Sequence, residues 1–205
     1  MADATTKSRI LTSAIKLFGK RGKAAVSTAD IARDAKVNKA LIFYHFTSKD
    51  ELYRTAFLTQ LREFVERIRG KMSEAEPGLP AVETFVRSHI AILMKNKYMA
   101  RMIIRELLYS GDVRGAALVK DFAEVFKVVR NEMLLALSSA RSSGQIRDID
   151  FLQTFVSIVS IDIFYFLGIP LVRLVNPDVD IDKFEEQRID HVVDILMNGL
   201  RRKQE

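Results

Sequence analysis

The sequence predicts an all-α fold on three observations. Apolar residues recur every three or four positions along most of its 205 residues, as the buried face of a helix requires. No run alternates apolar with polar as a strand would, and no repeat or low-complexity tract interrupts the pattern. Helix start and stop residues stand between the periodic segments.

Taken in order, a first helix runs from about Lys7 to Lys20, packs Ile10, Ala14, Leu17 and Phe18, and ends toward Gly22. Ser27 and Asp30 form an S-x-x-D start signal for a helix beginning near Thr28: the hydroxyl accepts a backbone N–H while the acid sits on the positive helix end. Ile31 and Ala32 point inward, and the small Ala32 and Ala35 let another helix cross closely. Asn38 restarts the chain as an N-cap for Lys39 to Phe46, with Ile42 and Phe46 on the buried face. Ser48 and Glu51 make a full capping box for a helix from Lys49 to about Gly70. The SEAEPGLP stretch is a loop, followed by helices from Ala81 to about Lys95 and over YMARMIIRELLYSGD, with a stop near Gly111. A longer helix from about Gly115 to Ser143 repeats Leu118, Phe122, Val125, Phe126, Val129, Met133 and Leu137 before Gly144 ends it.

Phe151 to Val175 is long and apolar enough to span a bilayer, but Asp162 near its centre and a break at Gly168 and Pro170 argue against that. The helix from Phe151 to about Leu167 has Phe151, Phe155, Ile158 and Tyr165 on one face and Leu152, Val156, Val159, Ile163 and Phe166 on another. A helix apolar nearly all round must be buried on both sides. One side suits its own core and the other a second subunit. The final helix, about Ile181 to Lys203, offers a matching stripe at Ile189, Val192, Val193, Leu196 and Leu200, so a homodimer through helices near 151–167 and 181–203 is expected.

Residues 27 to 54 carry the functional signal. Two short helices joined by a tight turn, within a segment crowded with Lys and Arg, form a helix-turn-helix, whose second helix enters the major groove of duplex DNA. Lys39, Ala40, Phe43 and Tyr44 fall on its outer side, with His45 at the edge. The residues leave two readings of Phe43, a groove contact beside Tyr44 or a core residue. The first 54 residues hold eleven Lys and Arg against five Asp and Glu, while residues 55 to 205 balance at 21 of each sign. A basic segment alone would serve RNA or an anionic membrane equally well; the helix-turn-helix frame is what points to DNA.

The run IARDAKVNKALIFYHFTSKDELY, with SRILTSAIKLFGKRG before it, resembles the N-terminal domain of the TetR-type (tetracycline-repressor-like) bacterial transcriptional regulators. That family's pattern is a helix ending LF-x-x-x-G, then IA-x-x-AGVS-K-G-x-L-Y-x-H-F-x-SK-x-x-L. Leu17, Phe18, Gly22, Ile31, Ala32, Ala35, Val37, Lys39, His45, Phe46, Ser48, Lys49 and Leu52 match it. Lys36 stands where the turn usually has Gly, Ala40 where Gly is frequent, and Phe43 where Tyr is common. The specific resemblance covers roughly the first fifty residues, and size and helical order extend it. It implies a homodimer bound to palindromic double-stranded operator DNA and released by a small effector held in the C-terminal domain. The expected division is 1–48 for the DNA-binding domain and 49–205 for effector binding and dimerisation. The expected DNA contacts are Ser27, Thr28, Asn38, Lys39, Ala40, Phe43, Tyr44, His45 and Lys49, with Ser27, Thr28 and Lys49 positioning phosphates.

Met94, Tyr98, Met102, Phe122, Phe126, Phe155, Asp162 and Tyr165 are the candidate effector pocket; the same spacing is equally that of an ordinary core. Asp162 has three readings: a cationic ligand, a partner Arg, or water at the dimer seam. Arg105 and Glu106 read as surface ion-pair residues, with effector contacts as the alternative. The chain has no cysteine, which excludes disulfides, thiolate nucleophiles and Cys-based zinc sites. His45, His89 and His191 show no metal-ligand spacing, His89 and His191 reading as ordinary helix residues, and no phosphate-binding Gly-rich loop or catalytic triad occurs. No metal, cofactor or enzymatic activity is expected, and MADATTKSRI lacks the apolar core of a signal peptide, which suits a cytoplasmic protein. A protein that coats DNA without sequence preference is the remaining rival.

Overall fold

A computed structural model describes residues 2–108 and 113–202, with side chains over 5–108 and 118–202. The described residues form nine helices: α1 (Ala2–Arg21), α2 (Thr28–Ala35), α3 (Lys39–His45), α4 (Lys49–Ser73), α5 (Leu79–Lys95), α6 (Lys97–Leu108), α7 (Val113–Ser142), α8 (Phe151–Val175) and α9 (Ile181–Leu200). The helical stop expected near Gly111 and the end expected at Lys203 lie outside the described residues. The chain divides into two compact units, Met1–Glu63 with Asn96–Val125, and Phe64–Lys95 with Phe126–Glu205. The first unit thus takes the first part of α4, α6 and part of α7 in addition to the helices before residue 48.

In the first unit α1 packs against α2, α3 and α6. Ile10, Phe18, Ile31, Ile42, Phe46, Leu52 and Phe57 are buried together as its core. Gly19 lets α1 approach α6: a Cβ there would lie 2.5 Å from the Tyr98 Cβ and 2.8 Å from the Tyr98 backbone. At the end of α1, Gly22 takes a left-handed φ of 81° and its N–H bonds Phe18 O at 2.8 Å. Arg105 of α6 donates to the same Phe18 oxygen at 2.7 Å and to Gly19 O at 3.3 Å. Those carbonyls have no partner within α1 itself, so Arg105 acts as a cap delivered from another helix. Its neighbour Glu106 accepts from the Tyr53 hydroxyl of α4. Both residues are therefore internal ties and not surface ion pairs.

The second unit is built on α5, which packs against α8 and α9. Val82, Phe85 and Val86 of α5, Val129, Met133 and Leu137 of α7, and Phe155 and Ile158 of α8 are buried there. The stripe expected on the last helix is mostly part of this core. Val192, Val193 and Leu200 are buried with Met197, whereas Ile195 is exposed. Periodicity identified the apolar face of α9 correctly, but α5 covers it.

Two further expectations need correction. Helix α8 does not break at Gly168 and Pro170; it runs on to Val175, where Asn176 closes it by donating its N–H and side-chain amide to Val172 O at 3.0 and 3.1 Å. Proline removes one hydrogen bond from the ladder. Pro170 lies on the exposed side, where water can hydrate the carbonyl it leaves unpaired. The capping box at Ser48 is half formed: Ser48 Oγ accepts from Glu51 N at 3.1 Å, but the Glu51 carboxylate reaches back one residue further, to the N–H and hydroxyl of Thr47.

Candidate nucleic-acid interface

The site is built from two caps and a turn. Ser27 Oγ accepts from Asp30 N at 3.1 Å, and the Asp30 carboxylate accepts from Ser27 N at 3.1 Å, a complete capping box at the start of α2. The Ser27 hydroxyl also donates to Asp30 at 2.8 Å, the first of the bonds that hold the Asp30 carboxyl below the usual carboxylate range. Lys36 ends α2 in a left-handed conformation, φ 53° and ψ 48°, where a Cβ costs about 1–2 kcal/mol. Arg9 of α1 compensates by donating to Ala35 O and Lys36 O, the latter at 2.8 Å. Lys16 of α1 bonds Asp34 of α2 at 2.7 Å, and that bond leads the causes lowering the Asp34 carboxyl pKa.

Asn38 then caps α3, its Oδ1 accepting from Ala40 N at 2.9 Å. Ile42 and Phe46 are buried, so the opposite side of α3 faces out. Phe43 is 50% exposed and Tyr44 73%, which excludes the core alternative for Phe43. Lys39 and Ala40 are exposed beside them and His45 is half-buried. The Lys39 ammonium lies 5.8 Å from the centroid of the Phe43 ring, and the Tyr44 and His45 rings meet edge-on at 5.0 Å. Leu41 is exposed on the same helix and was not among the expected contacts. The burial of Ile42 beside it turns Leu41 toward the outside.

Lys49 has an additional role. Its ammonium donates to Lys23 O at 2.9 Å and Val26 O at 3.0 Å, holding the loop that leads to Ser27 and Thr28. One of its three N–H donors remains for a phosphate.

The eight candidate pocket residues fall three in the first unit and five in the second. Tyr98 packs against Gly19, with the Lys20 ammonium 5.6 Å from its ring, and Met102 is buried. Phe122 meets Phe57 with ring centroids 6.3 Å apart, and Met94 is half-buried on α5. Tyr165 donates to Glu185 at 2.8 Å and stacks on Phe184. Phe155 and Phe126 meet at 5.6 Å, and Phe155 touches Phe85 at 6.1 Å. Phe85 leads to Asp162, which pairs with His89 Nδ1 and not with an Arg. His89 is 2% exposed and Asp162 3%, and the imidazole lies between Phe64 and Phe85 with centroids 5.4 and 5.5 Å away. Burial pushes the Asp162 carboxyl upward, and the His89 bond opposes that. Asp162 Oδ1 has no hydrogen-bond partner among the described residues. A groove of about 440 Å³ elsewhere in this unit, lined in part by Arg147, Asp150, Gln153, Ile195 and Leu196, includes none of the eight.

A capped third helix with an exposed outer face, on a basic three-helix head followed by further helices, defines a helix-turn-helix protein. Residues 10–56 match the model of the bacterial regulatory proteins of the tetR family. An HTH-type transcriptional repressor of Mycobacterium tuberculosis is 54% identical over 43 residues, which are 21% of this chain and 23% of that protein. The negative transcriptional regulator IcaR of the Staphylococcus epidermidis biofilm operon is 30% identical over 60 residues, 29% of this chain and 32% of that protein. The chain therefore spans less than a third of the length of these relatives. Solved structures extend the likeness of fold. The fatty acid degradation regulator FadR of Bacillus halodurans has a TM-score of 0.72 at 20% identity, with 97% of each chain covered. A tetR-family regulatory protein from Rhodococcus RHA1 reaches 0.76 at 15% identity over 97% of this chain and 98% of that one.

Proposed function

We infer that this chain is a homodimeric, sequence-specific DNA-binding transcriptional regulator, a repressor released from a palindromic operator by a small-molecule effector. The observation that carries this reading is the outer face of α3: Lys39, Ala40, Phe43 and Tyr44 stand exposed on a helix locked by caps at Ser27 and Asn38 and by Arg9. The head bearing that helix also holds the chain's entire excess of positive charge, which phosphates attract.

Dimerisation is supported by α8. It is long and apolar enough to cross a membrane, with a mean hydropathy of 2.1. Yet Phe155, Ile158, Asp162 and Tyr165 on one face are buried within the second unit, while Leu152, Val156, Leu167, Leu171 and Leu174 are exposed. A helix half in its own core and half bare fits a second copy better than lipid. A twofold axis would place two copies of α3 in major grooves about 34 Å apart. The protein would act in the bacterial cytoplasm, where the DNA is.

The FadR of Bacillus subtilis was solved in complex with stearoyl-CoA on the same fold, so long-chain acyl thioesters are a rational start for an effector screen. The test is selection of sites from random duplex DNA, with gel shifts of the winner at two salt concentrations and sedimentation of free protein and complex. An enriched palindrome bound by a dimer is expected. Binding that any competitor DNA displaces equally would instead mean a protein that coats DNA.

A further inference from the structure

We propose that α3 recognises its operator chiefly through the 5-methyl groups of thymine, with Ala40, Phe43 and the ring of Tyr44 as the specificity-determining contacts. This rests on the regulator reading and names what that regulator reads.

The argument begins with what α3 lacks. Hydrogen-bond readout in the major groove uses Arg or Lys on guanine, Asn or Gln on adenine, and Asp or Glu on cytosine. Between Val37 and Thr47 there is no Arg, Gln, Asp or Glu. Asn38 is the one amide, and its carbonyl oxygen is occupied by Ala40 N at 2.9 Å. Adenine recognition needs that oxygen together with the NH₂, so the cap removes Asn38 from the role. Lys39 is the one ammonium or guanidinium left, and it lies over the Phe43 ring, 5.8 Å from the centroid, while His45 is half-buried at the edge of the helix.

Apart from the Tyr44 hydroxyl, what remains outward is apolar. Ala40 and Tyr44 are one helical turn apart and lie opposite the buried Ile42; Phe43 and Leu41 flank them, exposed. The thymine methyl is the only apolar group a base edge presents in the major groove. An Ala methyl and an aromatic ring are groups that pack on it. Phe43, without a hydroxyl, can do nothing else at a base edge. The same chemistry extends to 5-methylcytosine, which carries its methyl at the same place in the groove.

The experiment uses the full-length protein and the site recovered by random selection. Each thymine of a half-site is replaced in turn by deoxyuridine, which removes the methyl and leaves pairing intact. At two or more positions affinity should fall about fourfold per methyl, the worth of one buried methyl group. Phe43→Ala should abolish the uridine penalty at one of those positions while leaving the others, a coupling that general weakening would not produce. Cytosine at such a position should bind poorly and regain affinity when 5-methylated. A selected palindrome that is bound equally with thymine or uridine throughout would overturn the inference and leave the regulator reading intact. So would loss of binding confined to 7-deazaguanine substitution, which would assign readout to Lys39. Failure to enrich any site would remove the regulator reading and this inference with it.

Discussion

The two units hold their polar groups in different ways. In the first, charged side chains reach across helices to backbone carbonyls at helix ends and in a loop: Arg9 to the end of α2, Lys49 to the loop before Ser27, Arg105 to the end of α1. The second also has such a tie, Arg147 to Gly199 O at the end of α9 at 2.7 Å, but its interior holds a buried carboxylate that meets one imidazole among Phe64, Phe85 and Phe155, and α8 keeps an apolar side bare. Directional bonds to backbone set helix orientation before any partner arrives, as a rigid reading head requires. Burial is non-directional and tolerates incompleteness, which suits the proposed covering of the bare side of α8 by a second copy.

The sharpest way to break this contrast is His89→Ala, which leaves Asp162 buried without its partner. We expect a loss of about 3 kcal/mol in urea unfolding. The loss should depend on pH. A carboxyl whose folded pKa is raised keeps its stability below the unfolded value and loses it as pH rises through the folded value. Removing His89 takes away the bond that opposes the rise, so the variant should lose more at about pH 7 than at about pH 4.5. Equal losses at both would mean that Asp162 is not charged in the native protein. Gly19→Ala should cost the first unit about 2 kcal/mol despite a better helix former, because the new Cβ meets the Tyr98 backbone and not a flexible side-chain end. A neutral or raised melting temperature would refute the close approach of α1 and α6.

Val156→Arg changes a residue 51% exposed on α8. It should leave helical content unchanged and weaken self-association at least tenfold in sedimentation, the effect of a charge placed in an apolar contact. Unaltered association would move the dimer seam elsewhere. The smallest expected effect is Ser27→Ala, which removes the α2 cap and should cost about 1 kcal/mol, seen as faster amide exchange in α2.

Legibility in the sequence tracked the distance between partners. The box at Ser27 and the cap at Asn38 join residues two or three apart, and spacing alone announces them. The left-handed turn at Lys36 was readable because a family pattern has glycine there, although only the structure supplies Arg9 as its support. His89 and Asp162 are 73 positions apart, and nothing local marks them as partners. His89 falls four residues after Phe85 on the buried stripe of α5, a place where a polar residue needs a partner, and that was the available signal. Stripe periodicity likewise shows which side of α9 is apolar without showing whether α5 or a second chain covers it. Lys49 looked like a phosphate ligand because it sits in a basic segment; its bonds to Lys23 and Val26 depend on a loop folding back.

The exposure of Tyr44 also has a spectroscopic consequence. The chain has five tyrosines and no tryptophan, so no indole collects or masks their emission. The hydroxyls of Tyr53 and Tyr165 are bound to the carboxylates of Glu106 and Glu185, an arrangement that quenches phenol fluorescence. Tyr44, on the outer face of α3, emits beside Tyr98 and Tyr109 and is the one of the three on that face: its share of the emission should change as the helix docks, letting operator binding be titrated on unlabelled protein.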